Sequence, residues 1–215
     1  LQESLSWLNM RAIEEAYNDM AKDAGYDKNA NQAKLAELKL LTGKGFSGIY
    51  KNEASALEAA NKALQLKRDI LLANTALDMD KIIVGRYKIG TSARQVNPRA
   101  LGTQNNNWSN QTSAPRGGFN AEIAELSNLR GDVKTRTIFK PTNGSSVPDL
   151  KLHWDAERLM FSMVDTDRRW QVFEVKLDGT GLKKLIETPE KDLEFFDATY
   201  LPSGKLIAVS NIGYN

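Results

Sequence analysis

His153 is the sole histidine of the chain, and it stands between Asp149 and Asp155. An imidazole flanked by two carboxylates has the elements of a metal site or a proton relay. Structural metal sites draw on several such ligands, and here no second histidine or thiolate is present to complete the set. Alternation along a strand would bring the three side chains to one face provided that no bulge intervenes; otherwise His153 is a strand residue with a structural role. A second group of interest is Asn105-Asn106-Asn107-Trp108-Ser109-Asn110-Gln111, followed by Arg116 and two glycines. Amides offer donors and acceptors together, and an exposed indole offers a stacking face, a combination suited to a sugar or a peptide. The other reading of this segment is a loop that closes over its own fold. His153, Asp197 and Asn211 form a third set, near the ends of strand-like segments that would line a central channel.

Other formal motifs fail on context. Gly43-Lys-Gly-Phe-Ser-Gly48 matches the glycine spacing of a dinucleotide site, but that site needs a strand before the glycines and a helix directly after them. Here a helical pattern precedes. Gly45-Phe-Ser47-Gly48-Ile49 breaks the nucleophile-elbow pattern at its last position. Asp165 with Asp167, and Glu187 with Glu190, read as solvated turn charges, while Trp154 and Trp170 read as core packing. Asn107, Asn110 and Asn143 each open a formal glycosylation sequon. The chain has no cysteine, so these residues hold no disulfide, thiolate metal site or Cys-x-x-Cys-His haem attachment. Its net charge of +2 comes from interspersed charges, which argues against a nucleic-acid or membrane-surface partner. No apolar run reaches the roughly 18 residues of a membrane span.

The elements that must position these groups fall into two zones, an α+β chain by segregation. Residues 1–76 have helical periodicity: a first helix with Leu5, Leu8, Ala12, Ala16 and Met20 on one stripe, stopping near Gly25; a second from about Asn31 to Leu41, ending at Gly43; and a third with Leu57, Leu64 and Leu71, opened by a Ser55–Glu58 capping box. From Asp78 the period becomes alternating. Residues 80–87, 121–126 and 135–140 read as strands, separated by a long irregular loop, 88–118. Then a motif recurs: Asp149–Ser162 aligns without a gap on Asp197–Ser210, a period of 48 residues. One period holds four short strands with polar turns, among them Asp178-Gly-Thr-Gly181. That is the pattern of a β-propeller blade. Residues 77–215 are therefore expected to be the first blades of an incomplete antiparallel propeller, breaking off in mid-blade. Its partner would be the remainder of its own propeller or another chain.

The segments PDLKLHWDAERLMFSM, RRWQVFEVKLDGTGLKKL and DATYLPSGKLIAVSN resemble the blades of hydrazine-synthase alpha-subunit-like proteins, whose propellers are similar to the TolB type. Upstream, RDILLANTALDMDKIIVGRY and NNNWSNQTSAPRGGFNAEIAEL resemble the region leading into that family's first full blade. The resemblance covers about residues 66–211. It implies the N-terminal portion of an exported bacterial envelope protein, periplasmic or at the cell surface with its signal removed. On this reading the chain is a binding or scaffold module without a catalytic site in these residues. The alternative that the resemblance implies is a redox enzyme whose c-type haem motifs lie further along the polypeptide.

Overall fold

The computed structural model describes residues 1–51, 53–87 and 116–214. The sequence-predicted loop residues Asn106, Asn107, Trp108 and Asn110 lie outside this set. The elements are helices α1 (Gln2–Ser6), α2 (Met10–Met20), α3 (Lys28–Lys44) and α4 (Ala54–Leu72), followed by strands β1 (Lys81–Tyr87), β2 (Ala121–Ser127), β3 (Lys134–Phe139), β4 (Lys151–Leu152), β5 (Arg158–Val164), β6 (Trp170–Lys176), β7 (Lys183–Lys184), β8 (Phe195–Tyr200) and β9 (Leu206–Ser210). Helices precede antiparallel sheets, as the change of hydrophobic period near Asp78 requires. The chain divides into two compact units, Leu1–Asp80 with Asn128–Asp132, and Lys81–Ser127 with Val133–Asn215.

In the helical unit, side chains cap two helices by accepting otherwise unpaired first-turn amides. Asn9 accepts from Ala12 N at 3.1 Å and Asp27 from Ala30 N at 3.0 Å. The core is Ile13, Tyr17, Tyr26, Leu35, Leu38, Ala63, Leu66 and Ile70. The expected Ala12–Ala16 stripe is therefore out of phase: the larger Ile13 and Tyr17, one position on, face inward. Likewise Leu57 and Leu64 are half-buried, while Ala60, Ala63, Leu66 and Ile70 carry the buried face of α4. The expected capping box is absent, because α4 begins at Ala54 and Ser55 already lies inside its first turn. Helix α3 runs through Gly43 and is capped by Gly45 at φ 69°.

The strand unit contains three sheets, ordered β1-β2-β3, β4-β5-β6-β7 and β8-β9, with every pairing antiparallel. They stack face to face. One side of the second sheet, through Leu159, Phe161, Phe173 and Val175, packs on Ala121, Ile123 and Ile138 of the first. Its other side, through Met160 and Val172, packs on Ala198 of the third, with Val164 and Trp170 against Phe196. Hence β5 and β6 are buried almost end to end. A strand covered on both faces must fill both with apolar side chains. The turn after β6 needs glycine at 179: its φ is 88°, and a Cβ there would lie 2.7 Å from the Ile138 carbonyl of the first sheet.

The repeat is visible in three dimensions, but not without a gap. Asp149 and Asp197 both adopt left-handed conformations, φ 62° and 46°, and so do Ala156 and Gly204 in the turns that follow. The first hairpin closes with His153 N donating to Arg158 O, and the second with Leu201 N donating to Lys205 O, both at 2.9 Å. Glu157 is thus an extra residue in the first copy. The pairs Lys151↔Met160 and Leu152↔Leu159 correspond to Thr199↔Ile207 and Tyr200↔Leu206, so equivalence is 48 residues before the turn and 47 after it. A one-residue slip exchanges the two faces of a strand. Leu206 and Ala208 therefore face the second sheet, and Ile207 and Val209 face away, at 58% and 48% exposure.

Candidate functional site

Among the described residues, a polar cluster centres on Glu174 of β6. Alternation directs this residue to the face covered by the third sheet, so its carboxylate loses water and needs protein partners. Its Oε2 accepts from Tyr200 Oη at 2.8 Å, and its Oε1 pairs with Lys183 Nζ at 2.9 Å. Arg158 Nε lies 3.4 Å from Oε2. The phenol of Tyr200 is held neutral well above its usual range, first by burial and then by the bond to Glu174. Tyr200 also meets the His153 ring edge-on, centroids 4.6 Å apart.

His153 is fixed by its neighbours. Arg158 Nη2 lies 2.9 Å from Nε2, and a guanidinium can only donate, so Nε2 is the acceptor in that pairing, while the Asp155 amide lies 3.2 Å from Nδ1. Nδ1 faces Asp155 Oδ2 at 2.9 Å. The pair has the orientation of a base held by a carboxylate, yet the Nε2 lone pair points at Arg158 rather than outward. Asp149 takes no part in this group. Among the described residues, no cluster of three or more His, Cys, Asp or Glu could hold a metal ion.

Asp149 instead forms an inter-sheet link. Ser162 Oγ donates to Asp149 Oδ2 at 2.6 Å, and Asp197 N donates to Ser162 Oγ at 3.1 Å. The serine thus ties the repeat-equivalent aspartates of adjacent sheets. Burial, the largest influence, raises the Asp149 pKa above 3.8, and the Ser162 bond opposes it. A carboxyl whose folded pKa is raised holds its proton more tightly when folded. Its stabilising contribution is complete below the unfolded value and is lost as pH rises through the folded one. Asp149→Asn keeps an acceptor for Ser162 and suits a left-handed backbone. We expect its melting temperature to exceed that of the wild type by a margin that grows as pH rises from about 4 to 7. A margin that is flat or shrinks over that range would contradict this placement of Asp149.

Arg116 and Asn211 meet at the segment before β8. Arg116 Nη1 pairs with Glu194 Oε1 and donates to the Arg168 carbonyl. Glu194, almost wholly buried, also accepts from Trp170 N at 3.3 Å, while its own amide donates to Asn211 Oδ1 at 2.9 Å. Asn211 Nδ2 donates to Asp192 O at 3.1 Å. An open cleft of about 370 Å³ lies beside this segment, its lining including Leu193, Phe195, Ile212, Glu187, Glu190 and Asp192.

No protein-family model matches the chain, and no curated protein matches it.

His153, Asp197 and Asn211 do not converge. His153 joins the Glu174 group near the Arg158↔Lys176 end of the second sheet. Asn211 joins Glu194, which is bonded to Trp170 at the opposite, Val164↔Trp170 end, while Asp197 lies between, 3.6 Å from Lys151 Nζ. Trp154, read as packing, is 71% exposed on the turn after β4, whereas Trp170 is buried. Asp165, read as solvated, anchors its turn by accepting from the amides of Asp167 and Arg169, each at 2.9 Å. Asn143 is exposed, but its side chain donates to Val164 O at 2.8 Å and accepts from Ser145 N at 3.0 Å. Sequence reasoning missed Glu174, Glu194 and Ser162. For Glu174 and Ser162 the available signal was a carboxylate or hydroxyl on a strand with apolar neighbours, whereas Glu194 lies just before β8.

Proposed function

We propose that this chain is a binding or scaffold module of the β-propeller kind, working at the bacterial envelope as part of a larger propeller assembly. The observation that carries this reading is the second sheet, a four-stranded meander covered on both faces by flanking sheets, as blades cover one another. The clusters around Glu174 and Glu194 support it, since their polar groups are used in joining one sheet to the next. The resemblance to hydrazine-synthase alpha-subunit-like propellers supports the envelope location.

Recognition of a carbohydrate or peptide falls to Asn106, Asn107, Trp108 and Asn110. Arg116, whose charge is already taken up by Glu194, anchors the end of their segment. The test is titration of the protein with oligosaccharide and peptide panels, wild type against Trp108→Ala. Loss of one stacking contact is worth about 0.5–1.5 kcal/mol beyond area burial, so affinity should fall several-fold with the melting temperature unchanged. A stability loss of about 3–5 kcal/mol, the scale of a large-to-small core change, would show that Trp108 packs the fold, and it would end the recognition reading.

A further inference from the structure

The third sheet has two surfaces whose counterparts in the second sheet are covered. Its outer face carries Ile207, Val209 and Thr199, all exposed. With the 47-residue equivalence after the turn, Ile207 corresponds to Met160, which is fully buried because the third sheet lies over it. The outer edge of β9 corresponds to the edge of β5 that pairs with β6 over seven residues, Arg158↔Lys176 to Val164↔Trp170. Among the described residues nothing pairs with that edge of β9. The shortfall shows in burial: Leu206 and Ala208, which face the second sheet, are only half-buried, while their equivalents Leu159 and Phe161 are fully buried.

We propose that β9 is a strand-addition site whose occupant is a β-hairpin of the β6–β7 type. Resting on the stacked-repeat reading above, the inference adds the register and the residue pattern of the partner. The incoming strand runs antiparallel to β9. Opposite Leu206 and Ala208 it places residues equivalent to Val175 and Phe173, which must be apolar because they complete the face turned to the second sheet. Opposite Ile207 it places the equivalent of Glu174. Open edges accept strands of this kind because their unpaired amides and carbonyls supply the ladder, while alternate side chains select the partner.

The experiment extends the full chain directly after Asn215 with a copy of residues 169–186. The copied Arg169 completes a five-residue connection like 165–169, and the copied β6 follows. Backbone amides of β9 that face the edge are expected to exchange at least about tenfold more slowly in the extended chain, as amides do on joining a cooperative unit. An extension with aspartate at the copied Phe173 and Val175 should give no protection. Unchanged β9 exchange in the first extension overturns the proposal. So does protection of that edge already present in the unextended chain, by a second copy or by the chain itself. Exchange at β5 in the same data reports separately on the stack, so failure of the site and failure of the stacked-repeat reading are distinguishable.

Discussion

Replacing Phe161 with alanine is expected to destabilise the strand unit by about 3–5 kcal/mol, the range for deleting a large buried aromatic. Phe161 is 1% exposed at the centre of β5. Its ring lies 5.3 Å from Phe139 of the first sheet and 6.2 Å from Phe173 beside it on β6. Removing it leaves a cavity between two sheets whose backbones are fixed by their own ladders, so relaxation into the space is limited. Urea unfolding followed by the strand signal in circular dichroism measures the loss. A cost below about 1 kcal/mol, typical of an exposed site, would mean that the first sheet does not cover β5.

The opposite face gives the second large effect. Trp170 is 1% exposed, packed with Val164 and Phe196, and its alanine variant should also lose about 3–5 kcal/mol. A phenylalanine at this position separates two contributions. The Trp170 Nε1–H is buried with no hydrogen-bond partner among the described residues, a cost the wild type already bears. Trp170→Phe removes that donor along with part of the ring, so its loss should be much smaller than that of Trp170→Ala. Equal losses for the two variants would show that the indole donor is satisfied and that it stabilises the fold.

The strands were legible because their alternation is strong. In WQVFEVKL alternation turns Val172 toward the third sheet and Phe173 and Val175 toward the first. The paired aspartates 149 and 197 are equivalent in conformation as well as in sequence. The slip after the turn was not legible, because HWDAER and LPSGKL align without a gap, and only the hairpin hydrogen bonds show that Glu157 is extra. In α4 the stripe was misphased for a different reason. Ala60 and Ala63 are buried where α4 packs closely, and small residues give little hydrophobic signal. The candidate sites were the least legible part. Asp149 and His153 are close in sequence, but the first bonds to Ser162 and the second to Arg158 and Asp155, because the left-handed turn at Asp149 comes between them. The burial of Glu174 depends on a sheet that arrives 21 residues later in the chain, at Phe195.

The second sheet is enclosed on both faces, and the repeat is shortened by one residue after the turn. Nuclear Overhauser contacts among methyl and aromatic protons test both parts at once. Phe161 should show contacts to Ile123, Met160 should show contacts to Ala198, and Ala208 rather than Ile207 should contact side chains of the second sheet. Contacts from Ile207 and Val209 to the second sheet, with Ala208 facing solvent, would contradict the account.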